Sequence, residues 1–176
     1  MLSLDPAHSE IRFALPSTLH TVHGQLALTR GEIRFDPGGI ASGEVVVDAR
    51  SAQTGNERRD HKMHDEVLES AHFPQIVLRP ERVDAGSIAP PHAQVTLVGQ
   101  LAIHGASHPI SIPADLTAVA PDRLRVRAHF SVPYVSWGIK DVSNLVLHVG
   151  DAVEVEVDAE GTLAPPLEAT GSEPNP

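Results

Sequence analysis

Arg123-Leu124-Arg125-Val126-Arg127-Ala128-His129-Phe130-Ser131-Val132 is the stretch that decides the fold. Apolar and polar residues alternate along it. As a β-strand it turns Leu124, Val126, Ala128, Phe130 and Val132 to one side and the arginines, His129 and Ser131 to the other. One face is expected to be buried and the other wet. Similar patterns recur at Ile11-Phe13-Leu15, Leu26-Leu28, Ile33-Phe35, Val45-Val47-Ala49, Val95-Leu97, Ile110-Ile112 and Val153-Val155-Val157. Turn signals fall between them, as in Asp36-Pro37-Gly38-Gly39 and Pro121-Asp122. Many short strands divided by turns indicate an all-β antiparallel sandwich or barrel rather than βαβ units. About eight strands are expected, a number at which a closed barrel can hold one small ligand. The acidic residues Glu154, Glu156, Asp158 and Glu160 alternate with apolar ones and read as the solvated face of the last strand.

One segment breaks the period of two. Asn56 to Ser70 reads NERRDHKMHDEVLES, rich in helix formers, with Thr54 and Glu57 spaced as a capping box. A single α-helix is expected to interrupt the strands and cover apolar surface. Its apolar stripe is Met63, Val67, Leu68 and Ala71, with Arg58, Lys62, Glu66 and Glu69 opposite. Residues 1–163 form the predicted barrel domain. Residues 164–176, proline-rich and acidic without apolar periodicity, read as a disordered tail.

The chain has 176 residues, 41% of them apolar, enough for one core without disulfides or a structural metal. Zero cysteine removes thiol nucleophiles, thiolate metal sites and redox disulfides. Thirteen Lys and Arg against 23 Asp and Glu give a net charge of −10, a field that repels nucleic acid and anionic lipid headgroups. No stretch approaches the roughly 20 apolar residues that span a bilayer. The N-terminus lacks the profile of a signal peptide, so the chain reads as cytoplasmic as written, or periplasmic if the sequence is a mature form.

The residues that could carry chemistry are few. Asp60 and His64, four apart, fall inside the helix's apolar stripe, where a carboxylate beside an imidazole makes either a structural pair or an oriented general base. No nucleophile elbow or zinc-binding helix motif accompanies them. Among 11 histidines, His20 and His23, His61 and His64, and His104 and His108 have suggestive spacings. Three apart on a strand means opposite faces, and Gly105 suggests a hairpin between the last two, so no metal ligand is assigned. No cofactor is expected. The only Tyr and the only Trp lie together in Val132-Pro133-Tyr134-Val135-Ser136-Trp137-Gly138-Ile139-Lys140-Asp141, suited either to the mouth of a pocket or to plugging the barrel's end.

The order of segments is familiar: LDPAHSEIRF, LHTVHG, SAQTGNERRDHKMHDEVLESAHFPQIVLRPERV, GQLAIHGASHPISI and FSVPYVSWGIKD. They resemble the YceI-like family of lipid- or polyisoprenoid-binding proteins from about Leu4 to Leu163. The resemblance is sharpest where T-G-N, R-D, L-E-S and F-P fall together. It implies a lipocalin-like, extended antiparallel barrel whose lumen holds an isoprenoid chain, and binding rather than catalysis. Many members carry an export signal, and none is visible here. The helix-entry motif positions carried over are Thr54, Asn56, Arg59 and Asp60, with Phe73-Pro74 at the exit.

The alternation itself selects the lumen. Phe13, Leu28, Val47, Leu97, Ile112, Val126 and Phe130 are expected to line one apolar cavity, with Arg123, Arg125 and Arg127 outside. Met63 and Val67 of the helix, and Tyr134 and Trp137 gating the open end, complete the expected ligand contacts. The leading expectation is a non-catalytic carrier of a polyprenyl lipid or quinone, partnered by no nucleic acid, with a homodimer left open. The alternative is a His/Asp enzyme using Asp60 and His64, with or without a metal.

Overall fold

The computed structural model describes residues 1–143 and 149–164. Eight strands run in chain order: β1 (Leu2–Leu15), β2 (Val22–Phe35), β3 (Ala41–Gln53), β4 (Gln75–Ala89), β5 (His92–Ile103), β6 (Ala106–Ala120), β7 (Arg123–Val132) and β8 (Val153–Leu163). Each pairs antiparallel with its neighbours, and β8 closes on β1 to complete the barrel. Closure pairs both edges of every described strand at least in part; the shortest seams are β3–β4, over residues 45–48, and β6–β7, over residues 114–120 of β6.

The deciding stretch is β7. Leu124, Val126, Ala128, Phe130 and Val132 stand opposite Gly161, Ala159, Val157, Val155 and Val153 of β8. Opposed residues share a face, and on this one Val132 and Ala159 are buried. The other face carries ion pairs: Arg123 with Glu160, Arg125 and Arg127 with Asp158, and His129 with Glu154. The arginines therefore lie outside, and the acidic alternation of β8 is their counterpart.

The same parity runs around the barrel. Phe13 opposes Val155 and Gly24, Leu28 opposes Val47, Val47 opposes Ile76, and Leu97 opposes Ile112. Gly24 is required here, since a Cβ there would stand 2.2 Å from the Phe13 ring. Leu26-Leu28 and Ile33-Phe35 belong to one long strand. A register shift between Leu28 and Arg30 moves the inward set from even to odd numbers. It leaves Ile33 buried, while Phe35, at the start of the hairpin, is exposed. On β3 Val46 is the most deeply buried residue. It lies on the outer face with Val77 opposite, beside the Arg30–Glu44–Arg79 ion pairs, a burial the alternation did not foresee.

Between β3 and β4 lies the helix, shorter than expected. Helix α1 spans Glu57–Lys62, and Met63–Val67 continue as one π-helical turn. Leu68 N–H donates to Met63 O, and Glu69, at φ 44, ends the run. Ser70 lies beyond the helix, and Ala71, placed in the apolar stripe, is exposed. Ala164, the first residue of the expected tail, is fastened to Met1 by two backbone hydrogen bonds. Residues 165–176 lie outside the described residues.

Candidate functional site

The helix, the β5–β6 turn and the segment after β7 all lie at one end of the barrel. Leu101, Ile110, Ile112, Val132, Tyr134 and Ile139 form a buried apolar cluster there. Val67, Ile76, Leu78, Phe130, Trp137 and Val155 pack against it. This end is plugged from inside by residues of the wall and of the 133–139 turn. On the inward face Phe13, Val47, Leu97 and Val126 are only half-buried, whereas Leu28 is buried. Inward residues that keep accessible surface have apolar contact still to gain. Two outer clefts, of about 600 and 400 Å³, cross the strands instead. The larger has Gln94, Asp115, Arg127 and Asp158 on one wall and His129 and Glu156 on the other.

The helix-entry motif is a fastening. Asn56, not Thr54, caps the helix: its Oδ1 accepts from Arg59 N–H at 3.0 Å. The chain turns at Gly55, φ 76, which leaves Thr54 two residues short of the cap. Thr54 is instead held by the first turn of the helix. Its N–H and hydroxyl both donate to Asp60 Oδ1, at 2.9 and 2.5 Å, while Arg59 donates to its hydroxyl and carbonyl oxygens. T-G-N-x-x-R-D thus ties the helix to the end of β3.

Asp60 and His64 do not pair with each other. His64 Nε2 lies 2.9 Å from Ala52 O and Nδ1 lies 2.9 Å from Ser70 Oγ. A carbonyl only accepts, so Nε2 carries the proton and Nδ1 accepts from the serine hydroxyl. Both ring nitrogens are therefore engaged. The π turn, which rotates the residues after Lys62, accounts for the misplaced pair. Met63 is half-buried, and Glu66 is joined to Lys140 by a salt bridge that links helix and turn. Glu69, expected in water, bonds His104 of the β5–β6 turn. Gly105 completes that turn at φ 76, against the Phe73 ring.

Tyr134 and Trp137 separate in role. Tyr134 is 4% exposed, and its hydroxyl donates to Gly150 O at 2.9 Å, so it belongs to the plug and not to the rim. Burial pushes its phenol above the ordinary 10.0, helped by Asp141 and Asp151. Trp137 is half-buried and stacks on His108, centroids 4.3 Å apart and planes 3° from parallel. In the sequence His108 stands out only by its spacing to His104. Its alternation with Ile110 and Ile112 was the signal that it faces inward. Among the described residues no three His, Asp or Glu side chains converge as metal ligands.

A model of the YceI-like domain matches residues 2–161. A UPF0312 protein of Vibrio cholerae is 26% identical over 160 residues, 88% of this chain and 82% of its own. One from Vibrio vulnificus is 23% identical over the same length. Among solved structures, a polyisoprenoid-binding domain from Saccharophagus degradans, implicated in plant cell wall breakdown, superposes with a TM-score of 0.74 at 19% identity. That match covers 93% of this chain and 98% of the other. Burkholderia cenocepacia BcnA gives 0.72 at 13% identity, over 89% and 98%.

Proposed function

The chain belongs to the YceI-like family, and from that premise we propose that it is a non-catalytic carrier holding one long isoprenoid chain, a polyprenyl lipid or quinone, in the barrel lumen. The observation that carries the reading is the inward face. It is apolar and half-buried at Phe13, Val47, Leu97 and Val126, while the ion pairs of β7 and β8 stay outside. Each methylene buried against such a wall contributes about 0.8 kcal/mol, so a prenyl chain is retained without a dense set of polar contacts. The polyisoprenoid-binding domain of Saccharophagus degradans, alike in fold, supports the same ligand class.

An enzyme built on Asp60 and His64 lacks its geometric premise, because the two side chains bond to separate structural partners. Mass spectrometry of organic extracts from the purified protein tests the carrier reading. Prenyl lipid near one per chain is expected. Extracts free of prenyl compounds, from protein that also takes up none when supplied, would overturn it.

A further inference from the structure

His108 is the one side chain among the described residues with a solvent-sealed polar atom, Nε2, that has no hydrogen-bond partner. It lies on the inward face of β6, opposite Leu101 and two residues before Ile110, both buried and apolar. A leucine or phenylalanine would satisfy such a place without the cost of stranding a buried polar atom. Trp137 stacks flat on the ring and leaves its polar edge unanswered. Glu69 is engaged with His104, and the Tyr134 hydroxyl donates to Gly150.

We propose that His108 Nε2 anchors the head of the lumen ligand, and that this head is a neutral carbonyl or hydroxyl oxygen on a prenyl chain. The inference rests on the carrier reading and adds the head-group chemistry to it. A single neutral oxygen matches a single imidazole nitrogen. A diphosphate does not, because several charged oxygens would lose their water beside Leu101 and Ile110 with only one donor in return. Since Nε2 is sealed, the head shifts the packing around the ring as it binds, and stacked Trp137 reports the event.

The test titrates Trp137 fluorescence with four probes of one tail length: geranylgeraniol, a menaquinone with the same tail, geranylgeranyl diphosphate and the matching isoprenoid hydrocarbon. The wild type should bind the prenol and the quinone about tenfold more tightly than the hydrocarbon, the scale of one hydrogen bond. The diphosphate should bind less tightly than the prenol. His108→Phe, which keeps the stack, should bind the three neutral probes alike, with hydrocarbon affinity unchanged and thermal stability equal or higher. His108→Leu serves the same purpose if phenylalanine overpacks the site. Preference for the prenol alone identifies Nε2 as the acceptor, and preference for the quinone as well identifies it as the donor. Wild type that binds all neutral probes equally, or favours the diphosphate, overturns the anchor and leaves the carrier standing. So does a His108→Phe protein that keeps the preference, or a melting temperature lowered in both variants. Wild type that binds no probe overturns both.

Discussion

The carboxylate of Asp60 accepts the backbone N–H and the hydroxyl of Thr54 on the same oxygen, across the turn that joins β3 to the helix. Both groups are half-buried, so removing the acceptor strands two donors. Asp60→Ala should lower unfolding free energy by about 1–3 kcal/mol in urea denaturation. Thr54→Ala should cost less, and the double variant less than the sum of the two. Strict additivity would show that the pair does not act as a unit.

Asn56 and Glu57 separate the observed cap from the capping box that the spacing suggests. Asn56→Ala should destabilise by about 1 kcal/mol, because Arg59 N–H loses its acceptor. Glu57→Ala should change stability by only a few tenths. The reverse order in thermal melts would restore Thr54–Glu57 as the working cap.

Tyr134 is the only tyrosine, so alkaline ultraviolet absorbance reads it alone. Its folded pKa lies above 10.0, chiefly because the ring is buried. A group raised on folding contributes stability that is complete below its unfolded pKa and lost as pH climbs through the folded one. Native protein should titrate later than denatured protein, and the fold should weaken above pH 10.0. Coincident curves would contradict the burial of the ring.

The Arg125 guanidinium, with Arg127 behind it, holds the Asp158 carboxyl below the ordinary 3.8. A depressed carboxylate stabilises the fold above its unfolded pKa, and that contribution fades as pH falls through the folded value. Asp158→Asn should cost about 1 kcal/mol at neutral pH, a small figure because Arg125 is only half-buried and Arg127 is exposed. The gap from wild type should close as pH drops below 3.8. A gap that persists in acid would mean the asparagine perturbs packing instead.

The alternation in Arg123–Val132 was legible because a pleated strand converts sequence parity directly into inside and outside, and the ion pairs of β7 with β8 follow from it. Parity fails where the backbone inserts a residue. The shift between Leu28 and Arg30 joined two apparent strands, and the burial of Val46 on the outer face depends on neighbours from two other strands. The helix was visible by composition. Its end was not, because a π turn and the positive φ of Glu69 are decided by what the segment packs on. Asn56 and Thr54 are both good caps by type, and only the turn at Gly55 chooses between them. The inward parity of Phe13, Leu97 and Val126 follows from alternation alone. The sealed Nε2 of His108 does not, since it requires knowing that Trp137 folds back onto that ring.

A prenyl chain held in the lumen must be displaced when the lumen is filled. Ala128 faces inward, half-buried, against the cluster at the helix end. Ala128→Phe adds a ring at an overpacking cost of about 1–3 kcal/mol, which circular dichroism can show to be tolerated. Native mass spectrometry then counts geranylgeraniol bound per folded chain. One per chain in the wild type and none in Ala128→Phe is the result expected. Equal occupancy in both folded proteins would contradict the account, because the ligand would then be bound somewhere other than the lumen.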